Sequence, residues 1–306
     1  MTSFTHILID LDPSLPSHPA LDAAIDVAVR CNAAVKIVDV LGEVPFATRH
    51  YLTPQLEADL VAHRLEQLRT VAARIKEVPV TTEVLRGRPA TAIVREVLRS
   101  RHDLLVRSHG RDLDERGKLF GAIDMELLRL CPCPVWLAGA QKRREATPQI
   151  LAAVHANPVN PDEQRLNESI LDLALTMRDL MAARLHIVQA WIAFGETLLA
   201  SHMPRHEVDQ YVEAARVSEQ QALADVTRAF ADRLGDTAAE LVKGEPEDVI
   251  QRYVEDKGID LVVMGTVART GITGLLIGNT AERVLQRLRV SVLATKPAGF
   301  ISPVDA

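Results

Sequence analysis

Short apolar runs rich in β-branched residues alternate with longer amphipathic segments along the whole chain of 306 residues. Successive apolar positions are typical of strands covered on both faces, and apolar positions three and four apart are typical of helices. The first half of the chain is predicted to contain strands at 6–11, 34–40, 80–85, 103–107 and 134–138, and helices at 19–31, 53–76, 89–100 and 120–130. The second half is predicted to contain strands at 149–154, 184–191, 238–242, 260–264 and 291–295, and helices at 163–182, 205–234, 246–257 and 279–288. This alternation predicts parallel sheets wrapped by helices.

The chain also repeats itself. The segment VLRGRPAT at 84–91 matches LVKGEPED at 241–248, and the same offset relates the apolar run at 103–106 to that at 260–263. The opening strands correspond at a smaller offset, so the second copy has a longer connection after its first strand. A repeat of this length is too long for a solenoid and indicates duplicated domains. We predict two tandem doubly wound α/β domains, 1–142 and 146–300, each a five-stranded parallel sheet with helices on both faces.

A glycine-rich segment follows the fourth strand of the second copy and reads GTVARTGITGLLIGNT at 265–280. Glycines let backbone amides approach an anion closely, and Gly278-Asn279-Thr280 opens a helix whose N-terminus carries partial positive charge. Arg269 could pair with a phosphate as a bidentate donor. Ligands of parallel α/β sheets bind at the carboxyl ends of the strands. The segment therefore favours a phosphate-binding site, and a tight turn without a ligand is the alternative.

The same residues resemble the universal stress protein family. Its phosphate loop is Gly-x-x-Gly, nine residues, then Gly-Ser/Thr, and an Asp at the end of the first strand contacts the adenine region. Here the loop runs from Gly265 through Ala268 to Gly278-Asn279-Thr280. The amino-acid sequence of this segment is most similar to that of the tandem E-type subgroup of the family. Ala268 and Asn279 depart from the motif, and His155 stands at the Asp position. The resemblance covers nearly the whole chain and implies Rossmann-like, adenine nucleotide alpha-hydrolase-like domains, with ATP and Mg²⁺ as the ligand and cofactor.

The candidate binding residues are distributed unequally between the copies. In the second copy, which has the near-complete loop, they are Gly265, Thr266, Val267, Ala268, Arg269, Gly271, Gly278, Asn279, Thr280, His155, Asn157 and Ala190. The first copy retains the Asp at its first strand but has Ser108 and Arg111 in place of the two loop glycines. Its weaker candidates are Asp12, Val40, Ser108, Gly110, Arg111 and Gly121. We expect binding mainly in the second copy, and Asp12 beside Pro13 could instead be a turn residue.

Composition narrows the classes of function. The formal net charge is −6 and aromatic residues are 4% of the chain, so direct binding to nucleic acid is not expected. No apolar stretch approaches the ~18 residues of a membrane span, and the first residues do not resemble a signal peptide, which predicts a cytoplasmic protein without membrane insertion. Cys31, Cys131 and Cys133 do not form a disulfide framework, and the last two suit the entry to a fifth strand. No metal site and no catalytic residues are expected.

The leading interpretation is a stress-response regulator that binds ATP, another nucleotide or another phosphate-bearing small molecule and acts by association. The resemblance implies that the copies pack as an intramolecular pseudo-dimer through their fifth strands, and that a homodimer of chains would contain four domains. A ligand-free scaffold is one alternative, and a weak ATP-hydrolysing enzyme is another. The extra residues around 191–205 form either a lid or partner interface, or only a covering segment. The sequence leaves the ligand, the stress signal, the partner and any binding by the first copy open.

Overall fold

The computed structural model describes residues 3–15, 18–43, 53–108, 120–139, 146–157, 161–266 and 277–305. The first half forms β1 (His6–Asp10), α1 (Pro19–Cys31), β2 (Ala34–Leu41), α2 (Pro54–Ala72), β3 (Val80–Arg86), α3 (Pro89–Ser100), β4 (Leu104–Ser108), α4 (Ala122–Leu130) and β5 (Val135–Ala138). The second half forms β6 (Gln149–Ala153), α5 (Pro161–Met181), β7 (Arg184–Trp191), α6 (Glu196–His202), α7 (Arg205–Arg228), α8 (Ala231–Leu234), β8 (Ala239–Lys243), α9 (Pro246–Lys257), β9 (Leu261–Gly265), α10 (Asn279–Arg287) and β10 (Ser291–Thr295). The predicted alternation of strands and helices is thus confirmed in both halves.

All these strands belong to one ten-stranded sheet with the order β3-β2-β1-β4-β5-β10-β9-β6-β7-β8. Within each half the neighbouring strands are parallel, as predicted. The halves meet where β5 pairs with β10 in the antiparallel direction, with Trp136 opposite Leu293. These two residues are equivalent in the repeat, so the junction relates the halves by a pseudo-twofold axis. The antiparallel junction also points the carboxyl ends of the strands in opposite directions in the two halves.

Helices cover both faces of the sheet and bury two apolar layers. Successive strand residues face opposite layers: Ile7 packs into one layer and Leu8 into the other. In the second half, Ile150 packs into the same layer as Ile7, and Leu151 packs into the same layer as Leu8. Each layer therefore continues across the junction, and the halves share their core.

The connections before α3 and α9 show why the repeat conserves a Gly-x-Pro sequence. Gly87 and Gly244 have φ angles of +111° and +146°, which residues with a Cβ rarely adopt. Pro89 and Pro246 then occupy the first position of each helix. A backbone N–H at that position would make no intrahelical hydrogen bond, so proline loses none there. The sequence motif thus specifies a turn and a helix start together.

The segment between β7 and β8 differs from the prediction. One helix was expected over 205–234, but α7 ends at Arg228 and α8 is a separate turn. The helix α6 was not predicted at all. It begins after Gly195, whose backbone adopts the left-handed conformation, and none of its residues is buried. A helix without a buried face has no apolar periodicity, so the pattern contained no signal for it.

Candidate functional site

A cavity of about 600 Å³ opens at the carboxyl edge of the sheet in the second half. It lies between the ends of β6 and β9, where the strand order reverses, and is bounded by α5 and the start of α10. Its floor is apolar and includes Ala153, Met264 and Ala281. Polar side chains on its wall include Asn167, Asn279 and Thr280. The position is the one at which open α/β sheets hold their ligands.

Close packing on one side of this cavity requires glycine at the end of β9. A Cβ built on Gly265 would lie 2.5 Å from Leu166 Cδ2 on α5, well inside van der Waals contact. On the other side, Gly278 precedes α10 and donates its amide to the carbonyl of Thr266 at 3.2 Å. Among the described residues, no side chain caps the N-terminus of α10 with a hydrogen bond. The first-turn amides of a helix have no intrahelical partner, so they remain available to an anion in the cavity.

The loop after β6 forms the opposite rim and is fixed by side chains from neighbouring elements. Buried Asn167 clamps His155, accepting from its amide at 3.0 Å and donating to its carbonyl at 2.7 Å. The amide of Ala156 donates to Gln189 Oε1 at 3.3 Å. Glu219 of α7 accepts from Asn157 Nδ2 at 3.1 Å and from Gln189 Nε2 at 2.5 Å. The long helix α7 therefore supports the rim of the cavity.

The structure brings half of the second-copy candidates to one place. The residues that line the cavity are Gly265, Gly278, Asn279, Thr280, His155 and Ala190. Thr266 is buried instead, with its hydroxyl donating to the carbonyl of Leu128 at 3.3 Å, and Asn157 is exposed beside Glu219. Val267, Ala268, Arg269 and Gly271 lie outside the described residues.

In the first half, the candidate Asp12 is engaged by its own neighbours. Its Oδ1 accepts from the amide of Ser14 at 2.9 Å, from the Ser14 hydroxyl at 2.6 Å and from Arg64 Nη1 at 3.0 Å. Burial raises the pKa of Asp12, but the Ser14 hydrogen bonds and the Arg64 guanidinium outweigh it and hold the pKa below its ordinary value. Arg64 also lies 3.4 Å from Asp39. These contacts fit the turn interpretation of Asp12.

Two of the other first-half candidates, Ser108 and Gly121, flank a cluster of charges. Ser108 ends β4, Gly121 precedes α4 and Val40 lies on β2, while Gly110 and Arg111 are outside the described residues. Next to Ser108, Arg107 pairs with Asp10 and donates Nε to Asp124 at 2.8 Å. Both carboxylates are buried, and Asp124 also accepts from the Gly121 amide at 2.9 Å. In the first half, therefore, a carboxylate of the chain itself caps the helix start.

Most of the residues that line the second-half cavity were not predicted, among them Asn167, Met264 and Arg129. Asn167 carried a signal, because it is a polar residue on the buried face of a helix. Met264 gave none, since it reads as an ordinary strand residue. Arg129 gave none either, because it belongs to α4 of the first half and reaches the cavity only through the antiparallel junction.

The described residues contain no cluster of three or more His, Cys, Asp or Glu side chains arranged to hold a metal ion. They also contain no helix long and apolar enough to cross a membrane.

The fold and the site together define a class: a duplicated, doubly wound α/β protein with a ligand-sized cavity at the carboxyl ends of its strands. The model of the Universal stress protein family matches residues 3–139 and 151–296. The chain therefore belongs to the universal stress protein family.

Relatives match over the full length. Universal stress protein E of Escherichia coli K12 is 28% identical over 314 residues, covering 100% of this chain and 98% of the relative. Its counterpart in Photorhabdus laumondii is 27% identical over 319 residues, covering 100% and 99%. Among solved structures, a functionally unknown protein from Pseudomonas aeruginosa PAO1 is similar with a TM-score of 0.69 and 24% identity, covering 96% of this chain and 93% of the other. A universal stress protein from Archaeoglobus fulgidus has a TM-score of 0.68 and 15% identity, covering 97% and 98%.

Proposed function

We propose that the second half of this protein binds ATP, another nucleotide or another phosphate-bearing small molecule, and that the protein acts in the cytoplasm as a stress-response regulator. The observation that carries the proposal is the cavity of about 600 Å³ into which the uncapped start of α10 opens. Its volume lies in the range of small-molecule sites. The apolar floor suits a base, and the amides of α10 suit a phosphate. Mg²⁺ would accompany a triphosphate as its counter-ion.

The test begins with mass spectrometry of small molecules released from freshly purified, undialysed protein, followed by calorimetric titration with Mg-ATP. We expect a phosphorylated compound to be released and the variant Gly278→Arg to lose binding, because its side chain projects from the start of α10 into the cavity. Gly121→Arg is the matched control, since it makes the same change at the equivalent position of the first half. Melting temperatures of both variants check that they fold.

Two other outcomes would overturn the proposal. An empty protein that gives no heat with ATP would support a ligand-free scaffold, an alternative favoured by the ion cluster at the carboxyl edge of the first half. Repeated ATP turnover at an enzyme-like rate would support the enzyme alternative. The family membership of the chain would stand in either case.

A homodimer of chains, with four domains in all, belongs to the same proposal. Sedimentation at increasing protein concentration tests it. A constant monomer mass over the micromolar range would exclude it.

A further inference from the structure

The C-terminal end of α4, in the first half, is fastened to the second half by three side chains. Lys296 donates Nζ to the carbonyls of Leu128 and Cys131 at 2.8 and 2.7 Å. Thr266 donates its hydroxyl to the same Leu128 carbonyl at 3.3 Å, and Ser302 donates to the carbonyl of Leu130 at 2.8 Å. These bonds satisfy carbonyls that a helix end leaves unpaired. They fix α4 against the start of the loop that follows β9.

Arg129 lies between these anchored carbonyls and is one of the residues that line the second-half cavity. Its Nε is buried and has no hydrogen-bond partner among the described residues. A buried guanidinium donor without a partner carries a desolvation cost that an anion would relieve. The other cavity arginine, Arg283, is held by Glu247, with Nε 3.1 Å from the carboxylate. Arg129 is therefore a cation at this wall whose Nε has no partner among the described residues.

The antiparallel junction explains why a residue of one half reaches the cavity of the other. Because β5 and β10 run in opposite directions, the end of α4 lies beside the carboxyl edge of the second-half strands. The equivalent position on α10 is Gln286, which is exposed and uncharged. The repeat thus supplies an arginine to the half with an open cavity and a neutral side chain at the corresponding position of the other half.

We propose that Arg129 is the residue that selects for negative charge in the ligand, by donating its guanidinium to a phosphate, so that the binding site is built from both halves. This inference rests on the proposed function. Guanidinium groups match phosphate oxygens with two parallel hydrogen bonds, which a lysine ammonium does not reproduce. The first half then contributes to the site of the second half, while its own carboxyl edge carries an ion cluster.

The experiment compares wild type with Arg129→Gln, which introduces the residue found at the equivalent position of α10, and with Arg129→Lys. Titrations use Mg-ATP, sodium tripolyphosphate and adenosine. We expect Arg129→Gln to weaken Mg-ATP and tripolyphosphate at least tenfold and to leave adenosine unchanged, and Arg129→Lys to recover part of the loss. Arg69→Met, a charge-matched change at an exposed position of α2, should bind all three like wild type. Melting temperatures check folding.

The outcomes separate this inference from the proposed function. Equal binding of Mg-ATP by wild type and Arg129→Gln would overturn the role of Arg129 and leave the proposed function standing. Equal losses for Mg-ATP and adenosine would also overturn it, since they would show that the residue only supports the cavity. A wild-type protein that binds neither Mg-ATP nor tripolyphosphate, and that releases no phosphorylated compound when freshly purified, would overturn both.

Discussion

The two halves place equivalent backbone positions in the same register but fill them with different chemistry. The sheet register pairs Asp10 with Arg107 in the first half and Ala153 with Met264 in the second. On the helix that follows, Asp124 occupies the position that Ala281 holds in the second half. Where the first half has an ion cluster, the second half has the apolar floor of a cavity.

This difference shows that the duplicated fold carries different side chains at equivalent positions of its two carboxyl edges. Among the described residues, three positions distinguish an ion cluster in the first half from a cavity floor in the second. In the first half the carboxylate of Asp124 takes the helix-start amide of Gly121, which is the kind of donor that a phosphate would otherwise use. The same fold therefore presents different chemistry at the corresponding edges of its two copies.

The largest effect is expected from moving the first-half cluster into the second half. The variant Ala153→Asp/Met264→Arg/Ala281→Asp places an ion cluster on the cavity floor, and we expect ligand affinity to fall roughly 100-fold or more because the space and the α10 amides become occupied. Calorimetric titration with Mg-ATP measures the change. Unchanged affinity in a folded variant would show that the cavity floor does not contact the ligand.

The reverse change tests whether the first-half cluster supports the fold. Asp10→Ala leaves Arg107 with one buried carboxylate and should reduce the free energy of unfolding by about 3 kcal/mol. The full replacement Asp10→Ala/Arg107→Met/Asp124→Ala should cost less than the single change, because no partly buried charge is left without its partner. Urea denaturation of the two variants gives the comparison. If the triple variant is the less stable one, the cluster contributes net stability.

Glycine at the end of the fourth strand is required in the second half only. Gly265→Ala brings a Cβ within 2.5 Å of Leu166 Cδ2, and overpacking of this kind should destabilise the protein by about 1–3 kcal/mol. The first half already has a side chain, Ser108, at this position, so Ser108→Ala is the matched control and should change little. Adding Leu166→Ala should relieve part of the cost. Additive losses in the double variant would argue against this contact.

At the amino-terminal edge, the halves differ in a smaller way. The first half has a charged network in which buried Glu96 contacts Lys36 at 2.6 Å and lies 3.5 Å from His102 Nε2. The second half has Ile259 at the position of His102, and a ring contact between His186 and Tyr253 with centroids 5.7 Å apart. The ionisable side chains at this edge therefore differ between the two halves.

The smallest expected effect is a pH dependence from this network. Burial lowers the pKa of His102 below its ordinary value, although Glu96 opposes the shift. The unfolded chain then binds more protons than the folded one below about pH 6.5, so stability falls as the pH drops through that range. His102→Ile, which copies the second half, should flatten the fall in melting temperature between about pH 7 and pH 5. An unchanged slope would assign the acid sensitivity to other groups.

Much of the fold could be predicted because its signals are local. Neighbouring residues alone reveal the β-branched runs and the Gly-x-Pro turns, and the repeat shows the same signals twice. The strands fall within a residue of their predicted bounds. The helix α6 could not be predicted, since it has no buried face to give a period. The site was only partly predictable. Gly265, Gly278 and His155 belong to a recognisable pattern, whereas Met264 and Arg129 look like ordinary structural residues.

The sequence by itself determined the duplication, the class of fold and the strand ends at which a ligand site belongs, because periodicity and turn chemistry act over short distances. Only the tertiary structure showed that an ion cluster lies at one of those edges and a cavity at the other. The pairing of Asp10, Arg107 and Asp124 joins residues that are far apart in the chain, and pattern alone does not show that they meet. Likewise, only the antiparallel junction brings Arg129 to the cavity of the other half, since the direction of that pairing is a property of the assembled sheet.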